Sequence, residues 1–266
     1  MIYWCSYLAL GGLSGILAGL LGVGGGIVIV PALTVLFTAQ EMPAPFVFHL
    51  ALGTSLACIL FTSVASLRAH HGRGAVNWQV VRRVTPGILA GTLLGSWVAA
   101  QLSTPLLKGL FVVFLSYVAL QMLLDVRPAP ARQLPGASGL LGVGGLIGGV
   151  SSLVGIGGGS MSVPFLVWCN VSMRDAIGTS AAIGFPIALA GAAGYVANGL
   201  AVMALPPHSL GFVYLPALLG VAAVGVLTAP LGARLAHRLP VTQLKRTFAA
   251  LLLVMAARMA VDAIGP

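Results

Sequence analysis

Of the 266 residues, 59% are apolar or aromatic (AVILMFWYC) and only 6% are charged, against roughly 25% charged in a soluble domain. Four carboxylates (Glu41, Asp125, Asp175 and Asp262) cannot solubilise so much apolar surface, which excludes a soluble enzyme and makes a lipid bilayer the expected surrounding. The net charge of +9 falls in a few short loops, as the positive-inside rule produces, so no nucleic acid partner is expected.

Residues 3 to 38 are almost continuously apolar. As one straight helix they would measure about 54 Å, well beyond a hydrocarbon core of about 30 Å. The segment must therefore break, and Gly22 to Gly26 is the place, because consecutive glycines weaken a helix and permit positive φ. Pro31 then falls within about a turn of a new helix start, where a missing N–H is tolerated. The absence of a basic leader argues that this first stretch stays in the mature chain. Spans are expected near 45 to 67, 84 to 101 and 105 to 124, followed by a polar, Pro-rich linker at Asp125 to Pro135. A second broken element at 138 to 172 precedes spans near 175 to 196, 210 to 233 and 246 to 262. The three cysteines, Cys5, Cys58 and Cys169, are too scattered for a disulfide framework or a zinc site and read as packing residues.

The two broken elements are copies. Residues 12 to 33 return as 145 to 166 with 11 of 22 positions identical, and Gly22, Gly24, Gly25, Gly26 and Pro31 return as Gly155, Gly157, Gly158, Gly159 and Pro164. That match far exceeds the ~10% expected of so Gly- and Leu-rich a chain and marks a duplication. Ala51 to Ser55 answers Ala176 to Ser180, and Leu102 and Lys108 answer Leu239 and Lys245. The chain thus divides into a first repeat (1–124), a cytoplasmic linker (125–137) and a second repeat (138–266) within one membrane domain.

Loop charges set the orientation. Arg68, Arg73, Arg82 and Arg83 follow the second element of the first copy, whereas the equivalent stretch 196 to 209 has no Lys or Arg. One loop on the bias reverses, with Lys108 alone in 101 to 108 against Arg234, Arg238, Lys245 and Arg246 in 234 to 246. Opposite basic content in corresponding loops is what two copies inserted upside down would show. The expected fold is an all-α integral membrane protein of two inverted repeats, each a Gly-broken re-entrant element plus three transmembrane helices, with both termini external.

A helix restarting within the membrane aims free N–H groups and a positive dipole end into the protein, which suits a small anion. Two such starts form a cradle of Gly24, Gly25 and Gly26 with Gly157, Gly158, Gly159 and Ser160. Irregular backbone at that depth must be buried or line a cavity, and a cavity is the economical reading. Close helix packing is the plainer use of the glycines. Thr54, Ser55, Thr179 and Ser180 supply hydroxyl donors beside the cradle, unless they bond back to the preceding helical turn. Ser151, Ser152 and Ser162 have no hydroxyl counterpart in the first copy, so the cradle is chemically asymmetric.

The paired G-V/I-G-G-G-(x4)-P blocks, each followed by A-x-G-T-S, resemble the sulfite exporter TauE/SafE family of membrane permeases, over nearly the whole chain. The resemblance implies movement of sulfite, sulfonates or a related small sulfur-containing oxyanion across a bacterial inner membrane. Export runs down the membrane potential, whereas uptake requires a coupled ion, for which Asp175 and Glu41 are the available carboxylates.

His49 and Arg174 precede Thr54 and Thr179 by five residues each. Inverted topology puts them at opposite mouths, where each gates or attracts an anion unless it only snorkels to water, with Asp175 as a helix N-cap. Arg258 in the last span is expected to pair with Asp262. His70 and His71 lack neighbouring ligands for a metal, and no cofactor motif is present. Two other classes stay open: a non-transporting scaffold, and an intramembrane serine protease built on Ser14 in Gly12 to Gly15. Association into a homodimer also stays open.

Overall fold

The computed structural model describes residues 2–21, 25–124, 132–235, 249–250 and 252–260. The chain folds as helices α1 (Ile2–Leu21), α2 (Gly26–Ala39), α3 (Val47–His71), α4 (Trp78–Gln101), α5 (Thr104–Leu123), α6 (Ala137–Val154), α7 (Gly159–Trp168), α8 (Met173–Gly199) and α9 (Leu215–Leu235). A further helical stretch covers 252–260. Two short strands, β1 (Ser209–Leu210) and β2 (Val213–Tyr214), pair antiparallel ahead of α9. The sequence pattern gave no sign of this hairpin, which turns on Gly211 at φ 53°.

Among the described helices, α1, α3, α5, α6, α8 and α9 are long and apolar enough to cross a bilayer. Helix α4 has 24 residues but carries Arg82 and Arg83 near its start. The protein is therefore an all-α, multi-pass membrane protein. Its first arm, α1, has the full 20 residues of a span, so only the second arms, α2 with 14 residues and α7 with 10, are short.

Each broken element is a hairpin that returns to the end where it began. In the first, Tyr3 donates to the Ala39 carbonyl at 3.1 Å and Gln40 donates to the Tyr7 hydroxyl at 2.7 Å, tying the end of α2 to the start of α1. In the second, the Arg132 amide bonds the Trp168 carbonyl at 3.3 Å and its guanidinium lies 5.0 Å over the Trp168 ring. Helices α3 and α8, the counterparts that follow the two hairpins, run antiparallel. Arg174 at the start of α8 bonds Arg73 just past the end of α3, while Phe212 beyond the end of α8 lies 5.1 Å from the ring of His49 near the start of α3.

Partners are exchanged between the halves. Helix α1 packs along α9, and its counterpart α6 packs along α4. The seams are small residues at every fourth position, Gly11, Gly15 and Gly19 on α1 and Gly87, Gly91 and Gly95 on α4. A Cβ added to Gly11 would stand 2.5 Å from the Val221 carbonyl oxygen. One added to Gly144, the counterpart of Gly11, would strike the carbonyl oxygen of Val84. Backbones this close gain contact area that larger side chains would forbid, the packing mode that replaces hydrophobic exclusion inside lipid. The plainer reading of glycine thus holds for these seams and leaves the two breaks to be explained separately.

Pro31 and Pro164 stand at the sixth position of α2 and α7, not within the first turn. A proline there cannot donate to the carbonyl four residues back, so Ile27 and Ser160 each lose a helix bond at the start of their helix.

Candidate functional site at the paired helix breaks

Both second arms begin in the same way. Gly25 caps α2 at φ 76°, ψ −10°, and Gly158 caps α7 at φ 75°, ψ −8°. This left-handed conformation costs an L side chain about 1–2 kcal/mol, which glycine avoids. The Gly25 carbonyl accepts from Val28 and Ile29, and the Gly158 carbonyl accepts from Met161 and Ser162. Amides earlier than these lie outside the helix ladder, as at every helix start. Gly24 lies outside the described residues.

The breaks touch across the centre of the molecule. A Cβ on Gly26 would meet the Gly155 carbonyl at 2.5 Å, Ile59 at 2.8 Å and the Ile156 Cα at 3.0 Å. Gly25, Gly26, Gly157, Gly158 and Gly159 are all buried. The four hydroxyls singled out from the A-x-G-T-S motifs are buried too, and Thr54, Ser55 and Thr179 bond to segments far along the chain. The Ser55 hydroxyl donates 2.8 Å to the Gly155 carbonyl in the opposite break. Ser180 accepts at 2.7 Å from Ser162 on α7. Thr54 accepts the Tyr214 amide at 2.9 Å and Thr179 accepts the Asn77 amide at 3.0 Å. Asn77 and Tyr214 stand 137 positions apart, the same spacing as Leu102 and Leu239, so these are one clasp made twice. Thr54 and Thr179 thereby fix the segments entering α9 and α4 against α3 and α8. Sequence reading missed the clasp partners because neither backbone amide carries a chemical signature.

A cavity of about 520 Å³ is lined by Phe114, Tyr117, Gln121, Ser160, Met161 and Trp168, among others. It opens beside α7 and touches the expected cradle at Ser160, whose hydroxyl has no hydrogen-bond partner.

The two expected mouth residues differ in setting. Arg174 is exposed and its Nη2 donates to the Arg73 carbonyl at 2.6 Å, while Arg73 donates to the Ala233 carbonyl at 2.9 Å. His49 is only 4% exposed, which corrects the expectation of an open mouth position. Its Nε2 stands 3.1 Å from the carbonyls of both Ala99 and Leu102. The cap of α8 also differs from expectation. Ser172 is the N-cap, accepting the Asp175 amide, and it donates to the Asp175 carboxylate at 2.8 Å. A carboxylate at the third helical position serves the cap through its neighbour. Arg258 is exposed, and its expected partner Asp262 lies outside the described residues.

Buried paired hairpins with left-handed glycine caps, held in a bundle of membrane-spanning helices, define a membrane transporter rather than a soluble catalyst. Residues 7–259 match the model of the family described as Sulfite exporter TauE/SafE, and the chain belongs to that family. It is 37% identical over 254 residues to a "Probable membrane transporter protein" of Haemophilus influenzae, covering 95% of this chain and 96% of the relative. A "Probable membrane transporter protein" of Methanocaldococcus jannaschii is 27% identical over 260 residues, covering 93% and 92%. The "Probable membrane transporter protein YunE" of Bacillus subtilis is 26% identical over 212 residues, covering 72% and 78%. No solved structure matches. The family and these relatives are membrane transporters, not enzymes, which removes the serine protease reading of Ser14.

Proposed function

We propose that this transporter moves sulfite or a related small organosulfur anion outward across a bacterial inner membrane, through a cradle at the two helix breaks exposed alternately to either side. The observation that carries the reading is the meeting of Gly26 with Gly155 and Ile156. It sets the start of α2, capped by Gly25, against the Gly155 carbonyl at the end of α6, in the break that leads on to the α7 start with the same left-handed cap at Gly158, and helix starts favour negative charge. The carbonyls that Pro31 and Pro164 deprive of partners make those first turns less rigid, which suits a site that must open and close.

The inverted arrangement is supported by the antiparallel course of α3 and α8 and by the exchanged packing of α1 on α9 and α6 on α4. Arg73 and Arg174 are joined at one end, next to Arg234, which supports that end as cytoplasmic and both termini as external. In this reading Thr54 and Thr179 hold the flanking segments in place, whereas Ser55 and Ser160 are the hydroxyls beside the breaks. Export of each negative charge gains about 2.3 kcal/mol per 100 mV of inside-negative potential, so outward flux proceeds without a coupled ion.

Flux through purified protein in proteoliposomes tests this, with sulfite, thiosulfate, taurine, sulfoacetate and sulfate offered in turn. Movement of one or more of sulfite, thiosulfate and sulfoacetate, stimulated by an inside-negative potential, is expected, whereas any movement of zwitterionic taurine, which has no net charge, is indifferent to the potential. A protein that inserts and moves none of them would be the non-transporting scaffold instead.

A further inference from the structure

Uptake against an inside-negative potential needs a cation to travel with the anion, and the described carboxylates do not offer a buried site for one. Glu41 is exposed, and Asp175 is half-buried at the start of α8 and already held by Ser172. The buried titratable ring of His49 sits instead where three segments meet. It lies near the start of α3, its Nε2 bonds the carbonyls at the end of α4, and its ring lies 5.1 Å from Phe212 in the link between α8 and α9 and 6.4 Å from Phe46.

Carbonyls only accept, so the Nε2 nitrogen carries the hydrogen and Nδ1 holds the lone pair. That Nδ1 is buried and has no hydrogen-bond partner. Resting on the transport reading above, we propose that His49 is a proton-binding site, and that binding a proton at Nδ1 opens the end of the bundle opposite the arginines. The acceptor within reach of a second N–H is the Pro45 carbonyl, which already accepts from Thr104, and an imidazolium sharing that one oxygen among Phe46 and Phe212 gains most by admitting water. Admitting water means parting α3 from the end of α4 and from the 209–214 hairpin, the motion that would expose the helix breaks to that side.

Glu41 past the end of α2 and His208 ahead of β1 share this end of the bundle, and both are exposed, so His49 is the buried one among them. On α3, Arg68, His70 and His71 lie at the far end of a 25-residue helix, as do Arg82 and Arg83 on α4, Asp175 on α8 and Arg234 on α9. On α5, Lys108 stands a turn beyond Thr104, which donates to the Pro45 carbonyl. On α8, the Tyr195 hydroxyl is committed to the Ser152 carbonyl at 2.9 Å. On β2, Tyr214 gives its amide to Thr54.

The test places a reporter thiol by Leu102→Cys in a protein whose Cys5, Cys58 and Cys169 are changed to Ala, reconstituted in liposomes and labelled by an impermeant methanethiosulfonate. Lowering the pH from about 7.5 to about 5.5 slows a thiol by its own chemistry. An increase of about threefold or more on acidification therefore reports opening. That increase is expected with His49 and is expected to vanish in His49→Gln, which keeps a donor for the two carbonyls but cannot titrate. His49→Asn serves the same comparison should the Gln variant not insert. An equal pH response in both backgrounds, or none in either, overturns the proposal. The labelling needs no substrate, so it decides the proton site even if no anion is moved. Where sulfite is moved, His49→Gln is expected to keep outward flux at a pH of about 7.5 and to lose its increase on acidification.

Discussion

Gly26 in one half lies against the carbonyl of Gly155 in the other, so the two helix breaks cannot be altered independently. Ser55 binds the same Gly155 carbonyl from α3. One oxygen is thus contacted by both the first hairpin and the span that follows it.

The left-handed caps should respond unequally to an added methyl group. At Gly25 the new Cβ would stand 2.6 Å from the Ser14 carbonyl, which is backbone, whereas at Gly158 it strikes the tip of the Ile187 side chain. Both variants incur the left-handed cost of about 1–2 kcal/mol. Gly25→Ala adds overpacking of about 1–3 kcal/mol that a rotating isoleucine largely avoids. Thermal unfolding in detergent should therefore show Gly25→Ala the less stable. Gly158→Ala being the worse of the two would contradict the packing described. The bulkier Gly25→Val and Gly158→Val are both expected to abolish flux while inserted protein remains detectable.

The twin clasp offers a cleaner stability test. Thr54→Val and Thr179→Val keep shape but leave the Tyr214 and Asn77 amides without their acceptors, at about 1–3 kcal/mol each. Serine at either position should restore most of the loss. The clasps lie at opposite ends of the bundle, so the double variant should lose about the sum of the two single losses. Marked non-additivity in denaturant or thermal measurements would show that they belong to one network.

Legibility in the sequence divides along a physical line. The membrane class and the breaks between α1 and α2 and between α6 and α7 follow from composition and local backbone preference, which act within a few residues, while most of the expected linker, 125–131, lies outside the described residues. The exchange of α1 onto α9 and α6 onto α4 does not, because a Gly-x3-Gly-x3-Gly seam such as Gly87, Gly91 and Gly95 announces a close neighbour without naming it. The hydroxyls were recognised as important, yet Thr54 and Thr179 accept amides from residues far along the chain. His49 read as a mouth residue because its apolar neighbours in sequence fit an interface as well as an interior. Only the fold brings Ala99, Leu102 and Phe212 around it.

Topology is open to direct measurement. Reporters fused after residue 75 and after residue 240 should both be cytoplasmic, and one after residue 203 should be external. Residue 75 follows Arg73, whose guanidinium reaches the end of α9 at Ala233, while residue 203 lies on the far side of α8. Basic loops remain inside by the positive-inside rule. An external reporter at either of the first two sites would overturn the inverted arrangement.

Arg174 should act from one face only. It is exposed beside Arg73 at the arginine-rich end, and its hydrogen bond runs to a backbone carbonyl, which leaves its positive charge uncancelled. If that end faces the cytoplasm, Arg174→Gln should weaken apparent anion affinity from inside more than from outside. The difference should shrink as salt rises, because an exposed charge works through a field screened within about 8–10 Å at physiological ionic strength. Arg174→Lys keeps the charge and should stay near the parent value, which separates attraction from the loss of one hydrogen bond to Arg73. His49 is buried, so His49→Gln should leave that salt dependence unchanged and alter only the response to pH. Sided flux measured in oriented vesicles decides the matter: equal losses from both faces, or no salt dependence, would reduce Arg174 to a tie between α8 and the α3–α4 loop.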